Sequence, residues 1–164
     1  NMPPDVPETT VFAYVAESLQ RVAERVGDGG ARIVLETHDA FSSGRAVAAV
    51  LSGVPSPVVG ALWDTHHPYR TGETAEETYN LLASRLYHTH VKDARRDGDG
   101  WQLVLLGQGE VPVREVLSTL QRRGYDGWIC VEWEKMWHPE IEEPEVAFPQ
   151  HLKLMREYLT QASP

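Results

Sequence analysis

The sequence predicts an α/β fold made of four βα units of a parallel (β/α) barrel, and three observations predict it. Four short apolar runs of strand length, around 33–36, 58–64, 86–92 and 128–132, alternate with segments of helical period. Three of those runs end in a carboxylate (Glu36, Asp64, Glu132), and the fourth carries His90 near its end. The steps from Glu36 to Asp64 and from Asp64 to His90 each match one βα unit of roughly 30 residues. The longer step to Glu132 contains an insertion.

The elements follow in order. Residues 1–8 are proline-rich and acidic and are expected to form a flexible arm or tag remnant ahead of a single domain over 9–164. From Thr9 or Thr10, apolar residues recur at Val11, Val15, Leu19, Val22 and Val26, a helix that Asp28-Gly29-Gly30 ends. The Glu36 strand and a Thr37-His38-Asp39 loop come next. Ser42-Ser43 caps a short helix to about Leu51, which Gly53 to Pro57 breaks. The Asp64 strand leads to a polar loop from Thr65 to Arg70. A helix from about Thr74 to Ser84 then feeds the strand that begins at Leu86. After Asp93, the turn signal Asp97-Gly-Asp-Gly100 and the run Trp101 to Leu106 predict a small hairpin. Pro112 opens a helix that Gly124 closes, and a last helix spans about Pro144 to Leu159.

Period-two alternation assigns the strand faces. Val34, Gly60, Leu62, Leu86 and Cys130 share parity with the terminal polar residues and are expected inside the barrel. Ile33, Leu35, Val59, Trp63, Tyr87, Val131 and Trp133 are expected against the helices. Parallel-barrel strands deliver their terminal residues to one mouth, where catalysis is housed. Glu36, Asp64, His90 and Glu132 converging there would repel one another without a cation between them, so one divalent metal ion is expected. The donor set is mostly hard oxygen and suits Mn²⁺, Mg²⁺ or Co²⁺, with Zn²⁺ also compatible. Glu134 shares the parity of Glu132 and is an alternative ligand.

The totals narrow the function classes. A chain of 164 residues with 41% hydrophobic and 24% charged residues suits one globular domain. A formal charge of -9 argues against a nucleic-acid partner. No apolar run approaches the roughly 20 residues of a membrane span. The single cysteine, Cys130, implies no intramolecular disulfide and a cytoplasmic setting.

The motifs Leu35-Glu36-Thr-His38, Trp63-Asp64-Thr-His-His67, His88-Thr-His90-Val-Lys92-Asp93, Gly107-Gln-Gly-Glu110 and Gly124-Tyr-Asp-Gly127 before Val131-Glu132 together resemble the sugar phosphate isomerase/epimerase family. These are the xylose-isomerase-like TIM barrels, and the resemblance lies with their C-terminal half. It implies a half-barrel starting at the fourth helix, since a full barrel takes eight strands and roughly 250 residues. It further implies a metal held by Glu36, Asp64, His90 and Glu132. His67 and Arg96 would contact a sugar substrate, with His38, Lys92, His66 and His88 as further candidates. The implied reaction is isomerisation or epimerisation of a sugar or sugar phosphate through an enediolate, with Glu36 and Glu132 as the acid/base pair. Two other readings accompany it: a nuclease resembling the endonuclease IV branch, and an inert half-barrel that only assembles. Two open sheet edges and a bare inner face also predict a homodimer, or pairing with a missing N-terminal half.

Overall fold

The computed structural model describes residues 2–27 and 29–161. In chain order it contains α1 (Glu8–Val26), β1 (Ile33–Glu36), α2 (Gly44–Ser52), β2 (Val59–Asp64), α3 (His66–Arg70), α4 (Ala75–Leu82), β3 (Leu86–Val91), β4 (Asp93–Asp97), β5 (Gly100–Val104), α5 (Val113–Arg122), β6 (Trp128–Val131) and α6 (Pro144–Gln161). Strands β1, β2, β3 and β6 form one parallel sheet in that order, and β4 and β5 form a separate antiparallel hairpin. This is the α/β architecture of a TIM-type barrel over four βα units. Strands β1 and β6 stand at its edges.

Local chemistry explains the boundaries. α1 already includes Glu8, so the arm ahead of it is shorter than expected, and Gly27 caps its end at φ 52°. Asp28 of the expected stop signal lies outside the described residues. Ser43 accepts from the Ala46 N–H and starts α2. The carboxylate of Glu73 accepts from the Gly44 and Arg45 N–H groups at 2.8 and 3.1 Å, occupying further orphan donors of the same helix end. Thr74 and Glu77 form a reciprocal capping box on α4. Pro112 is the N-cap of α5 rather than its first helical residue. The segment expected as a polar loop after Asp64 is instead a helical turn, α3, with His66, His67 and Pro68 buried.

The core lies between the outer face of the sheet and the helices. Val47, Val50, Val59, Ala61, Trp63, Leu82, Val91, Leu117 and Leu120 are all buried there. Two face assignments fail. Leu86 pairs with Ala61 and His88 with Leu62, so Tyr87 is an extra residue in a bulge between β2 and β3. Leu86 therefore joins the core on the helix side. The Tyr87 ring lies over the inner face, where a side chain on Gly60 would meet it. Its hydroxyl donates to the Pro57 carbonyl at 2.6 Å. The bulge restores phase at His88, so the parity of His88 and His90 survives.

Candidate active site

Each of the four terminal residues owes its place to a strand end. Glu36 ends β1 and Asp64 ends β2. His90 sits on β3 level with Asp64, and the Glu132 N–H extends the β3–β6 ladder by donating to the Val91 carbonyl at 3.0 Å. Their ligand atoms all lie within 4.8 Å of one another. His90 Nδ1 is 3.1 Å from Glu36 Oε1 and 3.6 Å from Glu132 Oε2, so one imidazole stands between two carboxylates contributed by opposite edges of the sheet. Those carboxylates, Glu132 foremost, push the imidazole up to about 10 against the opposing effect of burial.

Asp64 is fully buried and tightly held. Its backbone N–H donates to Thr37 Oγ1 at 2.9 Å, and the same hydroxyl donates to its carbonyl at 3.1 Å. Its Oδ1 accepts from the His66 N–H at 3.0 Å. Nothing in its sequence context marks Thr37 for this bridge, which depends on β1 and β2 lying side by side.

Lys92 stands against one side of the cluster, at Asp64 and Glu132. Its side chain is 2% exposed, and Nζ lies 2.8 Å from Asp64 Oδ2, 2.9 Å from Glu132 Oε2 and 2.5 Å from Glu134 Oε1. The Asp64 contact is an ion pair outside hydrogen-bond geometry; the other two are hydrogen bonds. Burial would lower the ammonium pKa, but Asp64, Glu134 and Glu132 together hold it above the ordinary value. Burial likewise raises Glu132, and His90 and Lys92 overcome it to hold this carboxyl below the usual range. Asp64 is raised, because burial outweighs the pull of Lys92. The cation demanded by converging carboxylates is thus supplied partly by the chain itself. Parity put Lys92 on the correct face, but period alone carries no sign of its burial.

The other expected residues divide into two groups. His67 is buried, with Nε2 3.5 Å from Asp64 Oδ2 and its ring 4.4 Å from that of His38. Burial first, then the nearby Lys92 and Arg70 charges, lower His67 to about 2 and His66 to about 4, so both imidazoles are neutral. Among the described residues, neither ring nitrogen of His67 has a hydrogen-bond partner. His38, His66, His67, Lys92, Trp101, Glu134 and His138 line a cleft of about 320 Å³. Arg96 stands apart from it. Its backbone N–H donates to Glu110 and its guanidinium stacks 4.9 Å over Trp101, bordering a neighbouring hollow with Arg45 and Asp99. Glu134 pairs with Lys92 and approaches His138, while Glu132 supplies the oxygen inside the four-residue cluster.

The donor set fits a divalent ion. Three carboxylates and one imidazole bring their ligand atoms within 4.8 Å of one another, and the Lys92 ammonium balances only part of their charge.

Comparison with known proteins agrees with the fold. The profile of the xylose isomerase-like TIM barrel family matches residues 2–158. The fructoselysine 3-epimerase of Escherichia coli O157:H7 is 28% identical over 94% of this chain and 56% of its own length. An inosose dehydratase of Bacillus licheniformis is 29% identical over 87% of the chain and 51% of its own. Among solved structures, an L-ribulose 3-epimerase superposes with a TM-score of 0.79 at 16% identity, covering 98% of this chain and 58% of that one. The D-psicose 3-epimerase of Clostridium cellulolyticum H10, solved with D-tagatose, gives 0.75 at 17%, covering 97% and 60%. At these identities the structures speak to the fold. The chain spans about half the length of the curated relatives it matches. No described helix is long and apolar enough to cross a membrane.

Proposed function

This chain belongs to the xylose isomerase-like TIM barrel family, and from that premise we propose that it carries the reaction centre of a metal-dependent sugar or sugar phosphate epimerase or isomerase. The observation that supports this most is the convergence of Glu36, Asp64, His90 and Glu132 within 4.8 Å at the ends of four parallel strands. These four would hold one divalent ion. When bound, the ion would supply Lewis-acid polarisation and stabilise negative charge developing on the substrate.

The protein groups divide the remaining chemistry. Glu36 and Glu132 approach from opposite edges of the sheet, so one can take a proton from the carbon beside a carbonyl and the other return one to the opposite face. That exchange inverts the carbon. An epimerase and a dehydratase among the relatives are both accommodated, because epimerising and dehydrating a hydroxyketone both begin by removing that proton. Neutral His67, with uncommitted nitrogens, would hydrogen-bond a substrate oxygen, and His38 stacks beside it. Lys92 holds Asp64 and Glu132 in place. Arg96 reaches a substrate only if the ligand extends over Trp101.

The test is solvent deuterium exchange. Ketoses incubated with the chain, Mn²⁺ and heavy water should gain deuterium at the epimerised carbon, and Glu36→Gln and Glu132→Gln should each abolish the gain. Ion binding without exchange on any ketose would leave the inert half-barrel as the reading. The bare inner face and the open edges of β1 and β6 also favour a homodimer, or a complementary N-terminal half, over an isolated chain. Burying apolar area is worth roughly 25 cal/mol per Å². A stable monomer by light scattering at micromolar concentration would overturn the homodimer.

A further inference from the structure

Next to the carboxylate cluster, on the same inner face, lies a second set of donors of different character. His88, His90 and Cys130 each offer a ligand atom, and these atoms lie within 4.8 Å of one another. The arrangement follows from the sheet. His90 and Cys130 are direct partners in the β3–β6 ladder, and neighbouring strands run about 4.8 Å apart, so the two side chains leave the sheet side by side. His88 precedes His90 by one pleat on the same face, and the two rings meet edge to face at 5.2 Å. Cys130 is an exposed free thiol that donates to the Val131 carbonyl at 3.6 Å.

We propose that His88, His90 and Cys130 form a second metal site, suited to a thiophilic ion such as Zn²⁺, that shares His90 with the carboxylate site. Two imidazoles and a thiolate are a soft set, whereas Glu36, Asp64 and Glu132 are hard oxygen donors. The two sites therefore sort ions by chemistry although they lie on adjacent pleats. Binding is a simple exchange: Cys130 releases its thiol proton to solvent as the sulfur–metal bond forms, and no electrons are transferred. Three protein ligands leave the fourth tetrahedral position open to water. Because His90 belongs to both sets, a thiophilic ion draws on a ligand of the carboxylate site. Excess Zn²⁺ thus weakens retention of Mn²⁺.

Co²⁺ is the probe, because thiolate ligation gives a near-ultraviolet charge-transfer band that oxygen and nitrogen ligands do not. Cys130 is the only cysteine in the chain, so any such band reports this thiol. Titration of the full chain with Co²⁺ should produce the band. His88→Ala should remove most of it at the same Co²⁺ concentration, and Cys130→Ser should remove all of it. Glu36→Gln, which takes a donor from the carboxylate site alone, should retain it. That variant separates this proposal from the epimerase reading, since its exchange activity is lost while the band persists. No band at saturating Co²⁺, or a band indifferent to His88→Ala, overturns the second site. Circular dichroism of each variant verifies that the fold is intact, and His88→Gln replaces His88→Ala if that protein unfolds.

Discussion

The ammonium of Lys92 lies 2.8 Å from the carboxylate of Asp64, and both side chains are cut off from solvent. Neither charge could be buried there alone, since an unpaired ion in a protein interior costs several kcal/mol. Lys92→Met should therefore destabilise the fold by about 3–5 kcal/mol, the usual result of removing one partner of a buried pair. Urea unfolding with and without Mn²⁺ checks it. The ion should recover part of the loss by restoring positive charge beside Asp64. Wild-type stability in the variant would contradict the pairing.

His90 stands between Glu36 and Glu132, so its removal should disperse the donor set without disturbing the core. His90→Ala is expected to lose most of its bound divalent ion while its helical circular dichroism stays unchanged. In the wild type, affinity should weaken as pH falls, because protons compete with the ion for the imidazole and the carboxylates. Calorimetric titration at several pH values measures both. Full stoichiometry in the variant would count against the site.

Asp93 organises the turn beyond the hairpin. Its carboxylate accepts from the N–H groups of Ala94, Gly107, Gly109 and Val111 at 2.8 to 3.1 Å. A side chain at Gly109 would lie 2.2 Å from Asp93 Oδ1 and 2.5 Å from the Ala94 carbonyl, so the turn would have to open. Gly109→Ala should cost about 1–3 kcal/mol, as overpacking of a close-fitted site does. Chemical denaturation reads this directly, and a neutral result would show that the turn yields.

His151 is 1% exposed, packs edge-on against Trp133, and donates from Nδ1 to the Ala147 carbonyl. Burial lowers its pKa below the ordinary 6.5, despite the opposing Ala147 bond and the Asp93 and Glu142 charges. The folded state then binds fewer protons than the unfolded state, so stability falls as pH drops below about 6.5. Buried His66 and His67 act in the same direction. The His151 share is isolated by comparing slopes: His151→Gln should flatten the decline of unfolding free energy between neutral and mildly acidic pH. An unchanged slope would remove His151 from the account.

Much of this was legible because strand and helix periods differ. The apolar runs that end in Glu36, Asp64 and Glu132, with His90 on the run between them, marked the four strands and their shared mouth. The Asp97-Gly-Asp-Gly100 turn marked the hairpin. What escaped depends on contacts between distant segments. The bulge at Tyr87 inserts one residue that alternation counts as ordinary, which reversed Leu86 and Tyr87. The α3 turn has too few residues for a helical period to emerge. Lys92 declares its charge in the sequence, but its burial arises only when Asp64, Glu132 and Glu134 close around it.

Glu36, Asp64, His90 and Glu132 descend from one uninterrupted arc of sheet, and among the described residues the outermost strands of that arc, β1 and β6, each keep one flank unpaired. A ring closed from two such arcs would draw its reaction from one and most of the facing wall from the other. Under the proposed function, exchanging the complementary arc, by recombination or in the laboratory, would change which molecule is admitted and leave those carboxylates untouched. New substrate ranges would then be reachable in a single step, without the accumulation of point changes around those four residues.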